Sequence, residues 1–224
     1  PGDYMKFYEI NPEIVRIARN PEYFTYLSEC PATVDITMGD ARISMEQELR
    51  KGQPQNFDVL VIDAFNSDSV PVHLLTREAF KLYLSHITPG GIIAVHVSST
   101  YIDLVPPVWA QKKYFDLEGV VIRVGKNYAH NVDPSVWVLL SRDPSIFLMP
   151  SIAKARMNPD LISPAKSWTD DYSSLLSAVK EADITVHSAV VILKDLFRPR
   201  KQTVTWPHKL PIEQAKDKID ILLK

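Results

Sequence analysis

The chain's 224 residues are 46% hydrophobic and 23% charged, a composition typical of a globular protein. Its formal net charge of −2 excludes the overall positive field that would attract nucleic acid. Cys30 is the only cysteine, so an intrachain disulfide and a cysteine-based metal cluster are excluded and a reducing setting is favoured. No apolar run approaches the roughly 18 to 20 residues of a membrane span, so we expect a soluble, cytoplasmic protein without membrane contact by this segment.

The first part of the chain is predicted to form two strand–helix units. A short apolar run at residues 5–10 indicates a strand, and Asn11 and Pro12 then supply a cap and a first-turn proline for a helix. Residues 34–38 indicate a second strand, and residues 41–51 a second helix. The repetition favours an α/β architecture.

Two further strands follow, separated by a strongly amphipathic helix. The strands are predicted at residues 57–63 and 92–97, the helix at 73–87, and a turn at 89–91. Near-continuous Val and Ile runs are typical of parallel strands that are covered on both faces. We therefore expect both faces of these strands to be covered.

The alternation continues to about residue 142. A helix is predicted at residues 104–115, and strands at 119–124 and 135–141 form an expected antiparallel pair. The whole order predicts a Rossmann-like, doubly wound and mostly parallel sheet in a domain at 1–145, with ligands bound at the carboxyl ends of the strands. Residues 146–224 are predicted to form a linker, a helix and a tail packed on that domain.

Acidic residues stand where predicted strands end. Glu9 can accept both hydroxyls of a ribose or serve as a charge partner for the following helix N-terminus. Asp40 is a natural N-cap for the helix that begins at Ala41. Asp63 and Asp68 place two carboxylates in the loop after a buried strand, which marks a candidate site, although Asp63 can also cap that loop and Asp68 can be solvated.

The six histidines contain no pair at the i, i+4 spacing of a helical metal site, and Ser98-Ser99 lacks the G-x-S-x-G pattern of a hydrolase nucleophile. We expect structural or solvated histidines, no metal and no nucleophilic serine.

Several motifs, in order, resemble one family. Residues 8–12, 39–41, 58–63 and 88–91 resemble the S-adenosylmethionine-dependent methyltransferase type of Rossmann-like fold. Residues 63–76 and 168–172 resemble, more narrowly, the spermidine-synthase-like proteins, which are aminopropyltransferases. The resemblance implies aminopropyl transfer from decarboxylated S-adenosylmethionine to a small-molecule amine. A methyltransferase that uses S-adenosylmethionine, and a non-catalytic module, are the alternatives.

The resemblance also implies roles for individual residues. Asp63 would orient and deprotonate the amine with Asp68 as a second acid. Glu9 would bind the ribose, and Asp40 and the amide of Ala41 would bind the adenine. Asp170 and Asp171, beside Trp168 and Tyr172, can supply further amine binding through charge and cation–π contact. Alternatively, the two acids cap the helix predicted from Ser173.

The sequence departs from the family pattern in three respects. In the family, a first strand and a Gly-rich loop precede the segment at which this sequence begins. The seven glycines of this sequence form no G-x-G pattern. Spermidine synthases usually read D-S-S-D-P, whereas Asp63 and Asp68 stand five positions apart, and no P-T-Y-P-S-G segment is present. We expect an incomplete cofactor pocket and sheet edges that favour pairing, including homo-oligomerisation.

Overall fold

The structure is a computed structural model that describes residues 2–65, 70–126 and 133–179. Asp68 and the predicted tail lie outside the described residues, as does most of the predicted final helix. The strands are β1 (Tyr4–Glu9), β2 (Thr33–Met38), β3 (Phe57–Ile62), β4 (Ile87–His96), β5 (Glu118–Val124) and β6 (Ser135–Ser141). The helices are α1 (Pro12–Ala18), α2 (Ala41–Arg50), α3 (Arg77–His86), α4 (Val105–Tyr114) and α5 (Pro150–Ala155). No helix in these described ranges is long and apolar enough to cross a membrane.

The described strands form two sheets. β1 and β2 pair in parallel, and the second sheet has the order β3-β4-β6-β5. In it β3 and β4 are parallel, whereas β6 is antiparallel to both β4 and β5. The expected antiparallel pair is thus observed, and the sheet is mixed: β6 runs antiparallel to both of its neighbours, whereas the pairs β1–β2 and β3–β4 are parallel. Only residues 125–134 separate β5 from β6, too few for a parallel crossover.

Two predicted boundaries also differ. The helix expected at 73–87 is divided into a 3-10 turn at Val72–Leu74 and α3, whose N-cap Thr76 accepts a hydrogen bond from the Ala79 amide. β4 begins at Ile87, five residues before its predicted start, so the segment taken for a turn lies inside the strand. Gly91 permits this path because a Cβ there would lie 2.9 Å from the Phe57 carbonyl oxygen of β3.

The core lies where α3 and α4 cover one face of the four-stranded sheet. Its fully buried side chains include Phe80, Tyr83, Ile93, Val108 and Leu140. Burying such side chains contributes about 1.5–3 kcal/mol each to folding. The packing of α3 and α4 on the sheet therefore fixes the positions of β3 and β4, including their carboxyl ends.

The opposite face of β3 is open among the described residues. Leu60 and Ile62 are buried, whereas Val59 is 54% and Val61 53% exposed. The expectation that both faces of this strand are covered was therefore wrong for the described part of the chain. A run of Val and Ile residues is compatible with a strand covered on both faces and with a strand covered on one face, so the sequence pattern does not separate the two cases.

A segment beyond β6 is anchored to the core at Trp168 and Asp170. The buried Trp168 accepts hydrogen bonds at its carbonyl from the Arg77 amide and from the Gln111 side chain. Asp170 accepts two bonds from Arg42, at 2.8 and 2.5 Å, and a third from the Thr76 hydroxyl. These contacts join residues 168–170 to α2, α3 and α4.

The predicted division of the chain into a domain at 1–145 and a following segment at 146–224 stays a prediction.

Gly119 of β5 packs tightly against β6. An added Cβ would lie 2.6 Å from Leu140 Cδ2 and 2.8 Å from the Leu139 carbonyl oxygen. Since that carbonyl belongs to a paired strand, Gly119→Ala is expected to lower the free energy of unfolding by about 1–3 kcal/mol, measured by urea denaturation. Gly125→Ala is the matched control, because its Cβ would meet no described atom within 4 Å. An unchanged stability for Gly119→Ala would contradict the close packing of β5 on β6.

The Arg42–Asp170 ion pair gives a pH-dependent expectation. Hydrogen bonds from Arg42 lower the pKa of Asp170 against the opposing effect of partial burial, and the bond from Thr76 lowers it further. The ionised carboxylate therefore stabilises the folded state at pH values above about 3.9, the pKa of an aspartate in the unfolded chain. This stabilisation is lost as the pH falls through the lowered pKa of Asp170 in the folded state. Asp170→Asn should cost about 1 kcal/mol of unfolding free energy at pH 7, and this cost should shrink below about pH 4.

The control for this experiment is Asp171→Asn, which changes the same charge at an exposed neighbouring position. Urea denaturation of both variants and the parent at several pH values measures the difference. An equal cost for Asp170→Asn at pH 3 and pH 7 would show that the ion pair is not its source.

Candidate functional site

Glu9 and Asp40 lie together at the carboxyl ends of β1 and β2. Glu9 pairs in register with Met38, and its carbonyl accepts a hydrogen bond of 2.9 Å from the Gly39 amide. Gly39 has a φ of +132°, a conformation that side chains rarely adopt, and this turns the chain from β2 into α2. The Glu9 carboxylate accepts a 2.7 Å hydrogen bond from the Asn11 amide at the start of α1. Both acids therefore stand at the start of a helix.

Asp40 uses both carboxylate oxygens in this structure. Oδ1 caps α2 by accepting from the Ile43 amide at 3.0 Å, and Oδ2 lies 3.0 Å from Nε2 of His73. Burial acts to raise the pKa of Asp40, but the bonds from Ile43 and His73 outweigh it and lower the pKa below its ordinary value. Asp40 is thus an ionised acceptor. The predicted contact to an adenine amino group would share Oδ2 with His73.

Ala41 is the first residue of α2. The first amides of a helix have no intrahelical partner, so the amide of Ala41 is available to an acceptor. The geometry permits the role that the sequence predicted for it.

Asp63 directly follows β3 and is held by a histidine. Its Oδ1 lies 2.7 Å from Nδ1 of His96, while half of its side chain, 51%, stays exposed. His96 ends β4 and stacks on Trp137 of β6, with ring centroids 4.4 Å apart and an interplanar angle of 7°. Phe65 meets the same imidazole edge to face at 4.7 Å. The carboxylate is therefore both fixed and accessible.

His96 was missed as a site residue by sequence reasoning, which treated the histidines as structural or solvated. The sequence nevertheless contained a signal that His96 lies at the site. Asp63 and His96 stand at the carboxyl ends of consecutive predicted strands, and β3 and β4 are parallel neighbours with Ile62 opposite Val95. Strand ends of such neighbours meet at one edge of the sheet, so an acid and a histidine there are expected to lie close together.

The group predicted to bind the amine is not assembled as one site in this structure. Trp168 is only 2% exposed and belongs to the core. The Asp170 carboxylate is engaged by Arg42. Lys166 Nζ lies over the Tyr172 ring, 4.2 Å from its centroid, and Asp171 is exposed. Amine binding by these four residues stays a prediction.

Within residues 2–65, 70–126 and 133–179, no group of three or more His, Cys, Asp or Glu side chains is arranged to hold a metal ion. The described groups are carboxylates, the imidazoles of His73 and His96, and helix N-termini.

Two curated proteins are similar to part of this chain. No protein-family model matches the chain. A polyamine aminopropyltransferase of Vibrio vulnificus is 30% identical over 100 residues, 45% of this chain and 31% of that protein. A probable polyamine aminopropyl transferase of Bifidobacterium longum is 28% identical over 90 residues, 40% of this chain and 18% of that protein. Each match thus spans less than a third of the curated relative's length.

A solved structure supports the fold. The crystal structure of a probable spermidine synthase from Corynebacterium glutamicum superposes with a TM-score of 0.52 at 18% identity, covering 76% of this chain and 64% of that one. At this identity the likeness concerns the fold alone. The chain is therefore similar in sequence to polyamine aminopropyltransferases over part of their length, and it shares the α/β fold of a probable spermidine synthase.

Proposed function

We propose that this chain carries the nucleoside-binding and catalytic carboxylates of an aminopropyltransferase. In this reaction an amine attacks the propyl carbon of decarboxylated S-adenosylmethionine, and methylthioadenosine leaves. The observation that carries the proposal is the Asp63 carboxylate, half exposed at the carboxyl end of β3 and fixed by His96 at 2.7 Å. The sequence likeness to two aminopropyltransferases supports the reaction type.

The chemistry suits a fixed carboxylate. An alkylammonium group has a pKa near about 10.4, so it must lose a proton before its nitrogen can attack carbon. A carboxylate attracts the cation, orients it and accepts that proton. The sulfonium is already a good leaving group, so the remaining task of the site is alignment. Asp63 is the base and anchor in this proposal, and Asp68 is the second acid of the same loop.

The nucleoside lies, in this proposal, across the carboxyl ends of β1 and β2. Glu9 accepts the ribose hydroxyls, while Asp40 and the amide of Ala41 bind the adenine. The support is positional, because the Gly39 amide joins the two strand ends and the N-termini of α1 and α2 both begin there. Asp171 and Tyr172 extend amine recognition, and the acceptor is a small primary amine.

The doubly wound sheet is proposed to be completed by a further strand between β1 and β3, with a Gly-rich loop that closes the cofactor pocket. In the described residues no strand pairing joins the two-stranded sheet to the four-stranded one. The exposed Val59 and Val61 of β3 give such an element an apolar face to cover. Activity tests therefore use the complete gene product that contains this sequence.

Donor preference is the first test. The donor carboxylate of ordinary S-adenosylmethionine would be repelled by Asp63, so the complete gene product should transfer an aminopropyl group from the decarboxylated donor and no methyl group from the ordinary one. The assay offers each donor with 1,4-diaminobutane and other primary amines, and mass spectrometry identifies the products. Methylated amines without aminopropylated ones would instead establish a methyltransferase, and turnover of neither donor would favour a non-catalytic module.

Asp63→Asn separates catalysis from nucleoside binding. The variant keeps the side-chain shape but cannot accept the amine proton, so kcat should fall by about 100-fold or more, while calorimetric affinity for methylthioadenosine changes little. Asp58→Asn is the matched control, since Asp58 is an exposed acid at the opposite end of the same strand. Full turnover by Asp63→Asn would remove the base assignment.

A further inference from the structure

A continuous line of hydrogen bonds runs from Asp63 to the backbone of β6. Asp63 Oδ1 lies 2.7 Å from Nδ1 of His96, and Nε2 of His96 lies 2.7 Å from the Ser98 hydroxyl oxygen. That oxygen also accepts a 2.8 Å hydrogen bond from the Val136 amide. Ser98 is therefore fixed by the sheet, His96 by Ser98, and Asp63 by His96.

The donor and acceptor roles along this line are set by its two ends. The Val136 amide can only donate, so one lone pair of the Ser98 oxygen is occupied and its proton is free to point toward Nε2. An ionised Asp63 can only accept, so Nδ1 must carry a proton. Of the two neutral forms of His96, the one protonated at Nδ1 satisfies all four groups. The hydrogen bond made by one ring nitrogen selects the form of the other.

Aromatic packing holds the ring in the orientation that this line requires. Trp137 lies parallel to the imidazole at 4.4 Å, and Phe65 meets it edge to face at 4.7 Å. A stacked neighbour on one side and an edge contact on another resist rotation of the imidazole about χ2. His96 is also only 21% exposed, which restricts competition from water for both ring nitrogens.

We propose that His96 is a positioning residue, protonated at Nδ1 and held by Ser98, which fixes the direction of the Asp63 carboxylate toward the amine. The line of hydrogen bonds is a property of this chain alone, whereas its effect on turnover rests on the proposed function. A misplacement of about 1 Å in a reacting group can cost about 100-fold in rate, so the direction of this carboxylate matters as well as its presence.

The first arm of the test reads the histidine directly. Nitrogen-15 NMR of the His96 side chain in the complete gene product should show the neutral form protonated at Nδ1. Asp63→Leu removes the acceptor and should shift the population toward the form protonated at Nε2, which can then donate to Ser98. A parent signal from any other form of His96, or an unchanged signal in Asp63→Leu, overturns the proposal whether or not the protein transfers aminopropyl groups.

The second arm measures kcat and KM of two His96 variants. His96→Phe keeps a ring against Trp137 but has no hydrogen bond for Asp63, and should lower kcat by about 10- to 100-fold with an unchanged KM for the donor. His96→Asn places an amide nitrogen near the position of Nδ1 and should recover most of the lost kcat. Equal kcat for His96→Phe and the parent overturns the positioning role. A parent that shows the Nδ1 form but no transfer refutes the proposed function and leaves the hydrogen-bond assignment standing.

Discussion

Helix α2 holds the two sheets of this chain together, and the candidate site depends on that connection. On one side its Glu48 accepts a hydrogen bond of 2.7 Å from the Tyr8 hydroxyl and pairs with Lys6, both from β1. On the other side the Met45 carbonyl lies 3.0 Å from Nε2 of the buried His86 at the end of α3. Nδ1 of His86 accepts from the Gln55 amide just before β3. The helix thus fixes β1 relative to β3.

Charge and burial reinforce this connection. Burial, with the hydrogen bond to Glu48, raises the pKa of Tyr8, so its hydroxyl stays a donor. Burial lowers the pKa of His86, so its imidazole stays neutral with Nδ1 as the acceptor and Nε2 as the donor. A buried polar group that loses its partner costs about 1–3 kcal/mol. These bonds therefore specify one arrangement of the sheets as well as stabilising it.

The proposed site uses carboxylates that the fold already holds. Glu9 and Asp40 accept from backbone amides at the starts of α1 and α2, and Asp63 is held by His96. A side chain fixed in this way loses little further conformational freedom when a ligand binds. The structural and functional interpretations of these acids are thus compatible. The alternation of strands and helices that places each acid just after or at the end of a strand was readable from the sequence.

Pairing and register were not readable in the same way. Local pattern located the β5–β6 pair, because two short apolar runs close in sequence favour antiparallel pairing. It failed at Gly91, since the glycine that indicated a turn instead allows close approach of β3 within a strand. Trp168 illustrates a second limit of local pattern, because an aromatic beside two acids suggested cation binding and gave no sign that the indole is buried. The contact of His96 with Asp63 follows from strand register, which no local window contains.

The central claim is that the carboxyl ends of β1 and β2 bind a nucleoside at Glu9 and Asp40, with its sulfur substituent directed toward Asp63 at the end of β3. A crystal structure of the complete gene product with methylthioadenosine tests it most directly. The account requires the ribose hydroxyls on the Glu9 carboxylate, the adenine at Asp40 and Ala41, and the methylthio group directed toward Asp63. A nucleoside bound away from the carboxyl ends of β1 and β2, or with its sulfur directed away from Asp63, would contradict it.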